Sequence, residues 1–374
     1  MKDPRIDKYA AVLVNHSCKV KPGDKVLIET FDIPPEVSIA LIEAVFAAGG
    51  IPLLETKINH IQRVLYMKGG EDFFQAAADS ELYRMKQMDC YIGVRGIWND
   101  KEFIDIPSDQ MNKYEKLWLQ PVHFDQRVNY TRWVVCRYPS PSYAQKAKMS
   151  MDAFEDFFFK TCTEVDYDKM AKEQECLIRL MDKTDKVRLL GPGDTDLTFS
   201  IKGLKALPCA GERNIPDGEV FTAPVRESAN GVIHYNTPSS YRGFTFENIR
   251  LVFKNGKIVE ATANDSKRIN EVFDTDEGSR YVGEFAIGCN PMVTMPMDDI
   301  LFDEKIGGSI HFTPGNTYKE CDNGNKSAIH WDLVMIQTPE NGGGEIWFDD
   351  VLIRKNGDFV LEELMGLNAE GLLL

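Results

Sequence analysis

Six histidines serve a chain of 374 residues, and one stands two places before an aspartate in "SAIHWD" (327–332), after the polar run "CDNGNK". On a β-strand successive side chains alternate between faces, so His330 and Asp332 are expected to point the same way. An imidazole and a carboxylate converging from one side form half of a divalent-metal site; the plainer alternative is a core histidine bonded to a neighbouring aspartate. Other stretches offer the missing half. "NIPDGEVFTAP" places Glu219 directly after a Pro-Asp-Gly turn, and "EGSRYVGEFAIGCNP" places Glu284 after a glycine within an apolar stretch. An ionised glutamate in such surroundings is costly unless paired or metal-bound. "LFDEKIGGSIHFTPGNTY" adds Glu304, His311 and Tyr318. Taken together, these side chains form an oxygen and nitrogen ligand set for two first-row divalent ions, whose chemistry would be activation of a shared water.

Positioning so many groups requires strands and tight turns, and the second half of the chain supplies them. From "KVRLLGPGDTDLTFSI" onward, short β-rich runs alternate with Gly, Asn and Asp turns; "GFTFENIRLVFKNGKIVEATA" reads as a hairpin turning at Asn255 and Gly256. One helix is expected near 265–276. The first half reads differently. A strand at 23–30 leads to a helix at 36–50, with Ile39, Ile42, Val45 and Phe46 at helical spacing and Gly49 and Gly50 as the stop, then to a strand at 51–56. That is a βαβ unit, which predicts a parallel pair. Residues 89–96 form a third strand. No GxGxxG follows the first strand, which argues against a dinucleotide site. Residues 139–150 read as a surface connection, and 151–185 as two bridging helices. The expected architecture is thus α/β with two domains: an N-terminal α/β domain (1–185) with βαβ units and the helical bridge, and a C-terminal, β-rich α+β catalytic domain (186–374) that binds metal.

Composition narrows the function classes. The hydrophobic fraction of 43% and charged fraction of 27% are those of a globular enzyme. No apolar stretch approaches the roughly 20 residues of a membrane span, and the start lacks a signal-peptide core, so a cytoplasmic location is expected. Eight scattered cysteines without a CxxC pair argue against a disulfide framework or a cysteine-rich zinc site. A net charge of −15 argues against a nucleic-acid partner.

"GPGDTDLTF", "NIPDGEVFTAP", "SRYVGEFAIGCNP", "LFDEKIGGSIHFTPGNTY" and "NKSAIHWDLVM", in this order, resemble the M29 aminopeptidases, the family of aminopeptidase T and aminopeptidase S. The first half is similar more loosely, through its βαβ unit. The resemblance implies a metallo-aminopeptidase that takes peptides with a free N-terminus, carries two divalent ions (Zn, Co or Mn) and forms a homodimer. Carried over by motif, the metal ligands would be Glu219, Glu284, Glu304, His311, His330 and Asp332. Tyr318 would be an active-site tyrosine that stabilises the oxyanion, and Glu219 a candidate general base. This chain reads "DEK" where the family motif has "DEN", and its loop from His311 to His330 is shorter than is usual. Two other readings use the same residues. His311, His330 and Asp332 match the ligand set of a mononuclear non-haem iron dioxygenase of the dihydroxypyridine type; a non-catalytic metal-binding protein is the other.

Overall fold

The computed structural model describes residues 3–374. The chain forms two compact units: everything up to Thr163 together with Gly211–Ile215, and Glu164–Ala210 together with Pro216–Leu374. The expected division after residue 185 is therefore displaced. Of the two helices read as a bridge, Met151–Thr163 belongs to the first unit and Tyr167–Met181 to the second. The latter buries Tyr167, Met170, Leu177 and Met181 within its own unit, and Gln174 Nε2 donates to the Cys209 carbonyl at 3.0 Å. An amphipathic helix follows the core that covers its apolar face, and the sequence does not say which core that is.

In the first unit, β1 (Lys25–Phe31), β2 (Ile51–Lys57), β3 (Cys90–Arg95) and β4 (Arg132–Arg137) form a parallel sheet in the order β2-β1-β3-β4, extended beside β4 by Asn214–Ile215. The helix Pro35–Ala47 joins β1 to β2 and is terminated at Gly49, whose φ of +79° suits a residue without a Cβ. It buries Val37, Ala40, Leu41 and Val45, whereas Ile39 and Phe46 of the expected stripe remain 50% and 63% exposed. This helix is apolar nearly all round, so spacing alone could not choose its buried face. The segment 139–150, read as a surface connection, contains the short helix Pro141–Lys146, with the Ser140 hydroxyl accepting from the Tyr143 amide.

The second unit packs two antiparallel sheets. An eight-stranded sheet includes the expected hairpin, Arg250–Lys254 and Lys257–Thr262, with Asn255 and Gly256 both at positive φ as a two-residue turn of this kind requires. The five-stranded sheet runs in the order Val334–Ile336, Ser309–Pro314, Val282–Gly288, Glu219–Thr222, Leu207–Cys209. Between the sheets, the Phe199 ring meets Phe285 and Phe312 at centroid distances of 4.9 and 4.8 Å. The wholly buried Arg354 guanidinium donates to the Gly288 and Ser309 carbonyls and to Gln337 Oε1, tying together two central strands of the smaller sheet. Those strands carry the candidate site.

Candidate metal centre

Register brings the ligands together. Glu219 opens its strand opposite Gly288, Glu284 lies opposite Thr313, and His311 lies opposite Ala286, with an irregularity between Val282 and Glu284. Glu219, Glu284 and His311 are all buried. His330 and Asp332 arrive by another route than expected. They are not on a continuous strand: His330 makes a single bridge to Gly315, and the next strand begins only at Val334. The backbone there is held by side chains of the preceding polar run. Asn323 Nδ2 donates to the Pro224 and Val282 carbonyls, and Asn325 Nδ2 to the Gly278 and Gly315 carbonyls at 2.9 and 2.6 Å. Gly315 sits at φ +114°, and a Cβ there would lie 2.1 Å from the Ile329 carbonyl, so only glycine permits the bridge.

The result is convergence on Glu284. His311 Nε2 is 3.3 Å from Glu284 Oε1, and His311 Nδ1 is 3.6 Å from Glu219 Oε2. His330 Nε2 is 3.1 Å from Glu284 Oε2 and 3.3 Å from Asp332 Oδ1. The ligand atoms thus form two triads, Glu219–Glu284–His311 and Glu284–His330–Asp332, each within 4.8 Å, with Glu284 common to both. His311 does not join His330 and Asp332 in one triad, so the set needed for a mononuclear iron centre is split between the two.

Protonation follows from the same geometry. Burial disfavours a charged His311, but the Glu219 and Glu284 carboxylates outweigh it and push the imidazole up to about 9. His330 is likewise raised against its burial, chiefly by Asp332. Asp332 and Glu284 are held below the usual carboxylate range despite burial, the first by His330 and the second by His311 and His330 beside it. Without a metal, protons on the imidazoles do the work of a cation, and metal binding would release them.

The residues fit a metal. Glu219 Oε2, His311 Nδ1 and His330 Nε2 are buried atoms without a well-formed hydrogen bond, a costly arrangement that a bound cation removes. His330 Nδ1 lies 2.8 Å from the Asn316 carbonyl; with its N–H donated there, the ring presents the Nε2 lone pair to the triad. Asp332 Oδ1 accepts from the Thr313 hydroxyl at 2.8 Å.

Two residues that the sequence reading passed over, Lys305 and Asp217, stand beside the triads. Lys305, 2% exposed, places its ammonium 2.6 Å from Glu219 Oε1, 2.7 Å from Glu304 Oε1 and 3.2 Å from Asp217 Oδ1. Glu304 therefore belongs to neither triad; it is engaged by the lysine that stands beside it. Burial pushes the Glu304 carboxyl up to about 8 in spite of that lysine. The signal for Lys305 was present in the "DEK" departure, but nothing local predicts a buried ammonium. The Tyr318 ring lies 5.0 Å from the His330 ring and 5.6 Å from Phe221. Although Tyr318 is 46% exposed as a whole, desolvation of its hydroxyl and then the Glu284 and Asp332 carboxylates raise that hydroxyl well above the ordinary tyrosine value, so it remains a donor.

The chain thus has a parallel α/β unit and a β-rich unit that carries two carboxylate–imidazole groups able to hold metal. The chain belongs to the thermophilic metalloprotease family M29, whose family model matches residues 2–359. Aminopeptidase PepS of Streptococcus thermophilus is 26% identical, over 95% of this chain and 98% of that protein. The structure of wild-type AmpT from Thermus thermophilus superposes with a TM-score of 0.79 at 19% identity, covering 96% of this chain and 99% of that one. The 2,5-dihydroxypyridine dioxygenase of Pseudomonas putida KT2440 shares the fold at a TM-score of 0.62 and 13% identity, covering 96% and 98% of the two chains. Among the described residues no helix is long and apolar enough to cross a membrane.

Proposed function

We propose that the chain is an aminopeptidase that removes N-terminal residues from peptides with the help of two divalent ions. The observation that carries this reading is the pair of triads sharing Glu284. The donors support the number. Glu219, Glu284 and Asp332 give the triads three carboxylates and His311 and His330 two imidazoles, a donor set large enough for two ions. The ligands are oxygens and imidazole nitrogens with no thiolate, a set suited to Zn, Co or Mn. Such ions, when bound, lower the pKa of a shared water and polarise a peptide carbonyl.

The protein's own groups do the rest. Glu219, Glu284, His311, His330 and Asp332 hold the ions. Glu219 and Glu304 are the two candidates for proton acceptor: Glu219 lies within a triad, and Glu304 lies outside both, paired to Lys305. The acidic surroundings favour a substrate ammonium. A free α-amine thus serves as a positioning group, and the proposal predicts that N-acetylating a good peptide substrate abolishes its cleavage. Equal turnover of blocked and free peptide, measured by chromatography, would sink the exopeptidase reading.

Tyr318 stands over His330 with its proton in place and is assigned to the developing oxyanion. Tyr318→Phe should leave metal content unchanged and lower kcat and kcat/KM together by about 10²-fold, with KM little altered. A rise in KM at constant kcat would make it a ground-state contact instead.

The chain is also proposed to form a homodimer. The edge strand β2 leaves Ile51, Leu53 and Leu54 exposed, and Ile39 and Phe46 are exposed on the helix before it; a second copy covering these apolar side chains would remove an unprotected sheet edge. Light scattering that returns the mass of one chain at micromolar concentration would refute this. All eight cysteines are free thiols, in keeping with a reducing, cytoplasmic compartment.

A further inference from the structure

The first unit contains a cavity of about 300 Å³ that has no part in the metal centre. It opens at the carboxyl ends of the parallel strands, where Phe31 closes β1, Lys57 closes β2 and Arg95 closes β3. In the order β2-β1-β3-β4 the chain reverses its direction of travel between β1 and β3, and open parallel sheets hold ligands in the crevice at such a reversal. Aromatic rings of Tyr66, Tyr114 and Trp118 form the wall.

The cavity is lined by carboxylates that have cations of their own and by guanidiniums in excess of them. The Lys57 ammonium fills the space between Glu29, Glu55 and Glu81, at 2.7, 3.4 and 2.8 Å, so that trio of carboxylates already has its cation. Glu55 is also paired with Arg84. Two positive groups therefore answer three negative ones. The remaining lining charges, Arg95, Arg127 and Arg137 against Asp100, then leave one positive charge in excess, inside a chain whose net charge is −15. Arg127 is only 5% exposed, lies 3.6 Å above the Tyr91 ring and donates to His123 Nδ1 at 3.2 Å. His123 gives no compensating charge: burial and then Arg127 and Arg95 push it down to about 4, so it is neutral near pH 7. The Nε atoms of both Arg95 and Arg127 are buried without a hydrogen-bond partner. Buried donors of this kind are stabilised by a ligand that accepts from them.

We propose that this cavity binds a small carboxylate with an aromatic or bulky apolar body, its carboxylate on Arg95 and Arg127 and its body against Tyr66, Tyr114 and Trp118. The planar fork of a guanidinium matches a carboxylate, and one excess positive charge matches one negative charge. A nucleotide or other phosphate is disfavoured. The loop after β1 reads "DIPP" (32–35), and an aspartate with two prolines cannot cradle a phosphate with backbone N–H groups.

The test is calorimetric titration of the full-length protein with 3-phenylpropionate, with its amide, and with inorganic phosphate. Each titration is run with metal present and again after chelation, so that a carboxylate bound at the metal centre is told apart. One site per chain is expected for the carboxylate, unaffected by chelation, with the amide and phosphate at least tenfold weaker. Arg127→Gln and Arg95→Gln should each weaken binding at least tenfold. Should the more deeply buried Arg127 prove necessary for folding, Arg95→Gln and the carboxylate–amide comparison in the unaltered protein still decide the matter. The proposal is overturned if the amide or phosphate binds as tightly as the carboxylate, if chelation abolishes binding, if Arg95→Gln leaves it unchanged, or if no heat is detected at millimolar ligand.

Discussion

Glu284→Gln should lose peptidase activity and bound metal together while the fold survives. Glu284 is the one carboxylate common to both triads, with Oε1 beside His311 and Oε2 beside His330. The amide keeps the volume of the side chain but replaces one anionic oxygen with a nitrogen that cannot ligate, so one triad loses a ligand atom and the other keeps only a neutral carbonyl oxygen. Lewis-acid stabilisation of several kcal/mol disappears; at about 4 kcal/mol, kcat/KM falls by about 10³-fold. Elemental analysis should find the metal content reduced along with the rate, and circular dichroism should be unchanged. A variant that retains both ions and near-normal turnover would disprove the shared-ligand arrangement. Loss of secondary structure with loss of metal would make the site structural rather than catalytic.

For Lys305→Met the expected effect is on stability. The ammonium lies within 3.2 Å of Asp217, Glu219 and Glu304 at once, and all four groups are buried or nearly so. Removing one partner of a buried ionic cluster strands the others, at a cost of about 3–5 kcal/mol. In the chelated protein this should lower the melting temperature of the second unit by roughly 10 °C, taking about 2–4 °C per kcal/mol. Saturating divalent metal should restore part of the loss, because it binds only the folded state and supplies the missing positive charge. If the chelated variant melts with the unaltered protein, the carboxylates carry protons instead of charge, and the ion-pair description is wrong.

Much of this could be read from the chain alone because it is written in local patterns. Alternation and turn residues set the hairpin at Asn255 and Gly256, and the strand–helix–strand run set the parallel pair of β1 and β2. The ligand candidates stood out because carboxylates and imidazoles are rare inside apolar, turn-bounded runs, and the motifs around them resemble one family. Their pairing was not legible. That His311 shares Glu284 with His330 yet belongs to a different triad depends on the register of three strands far apart in sequence.

The division between the two levels is physical. Burial of a glutamate or a histidine in an apolar run demands a partner, and that demand is a property of residue type, so the sequence by itself determined that a charged centre must exist near Glu219, Glu284, His311 and His330. Which partner meets the demand is a matter of distance, and only the tertiary structure decided it. It gave Glu304 to the adjacent Lys305 and left it outside the triads, and it held His330 in place through Asn323 and Asn325 rather than through a strand. It also set Arg95 and Arg127 together in the first unit with buried donors unfilled. Hydrophobic periodicity reports which faces turn inward, whereas electrostatic pairing depends on ångström separations between residues far apart in the chain, and no local pattern encodes those.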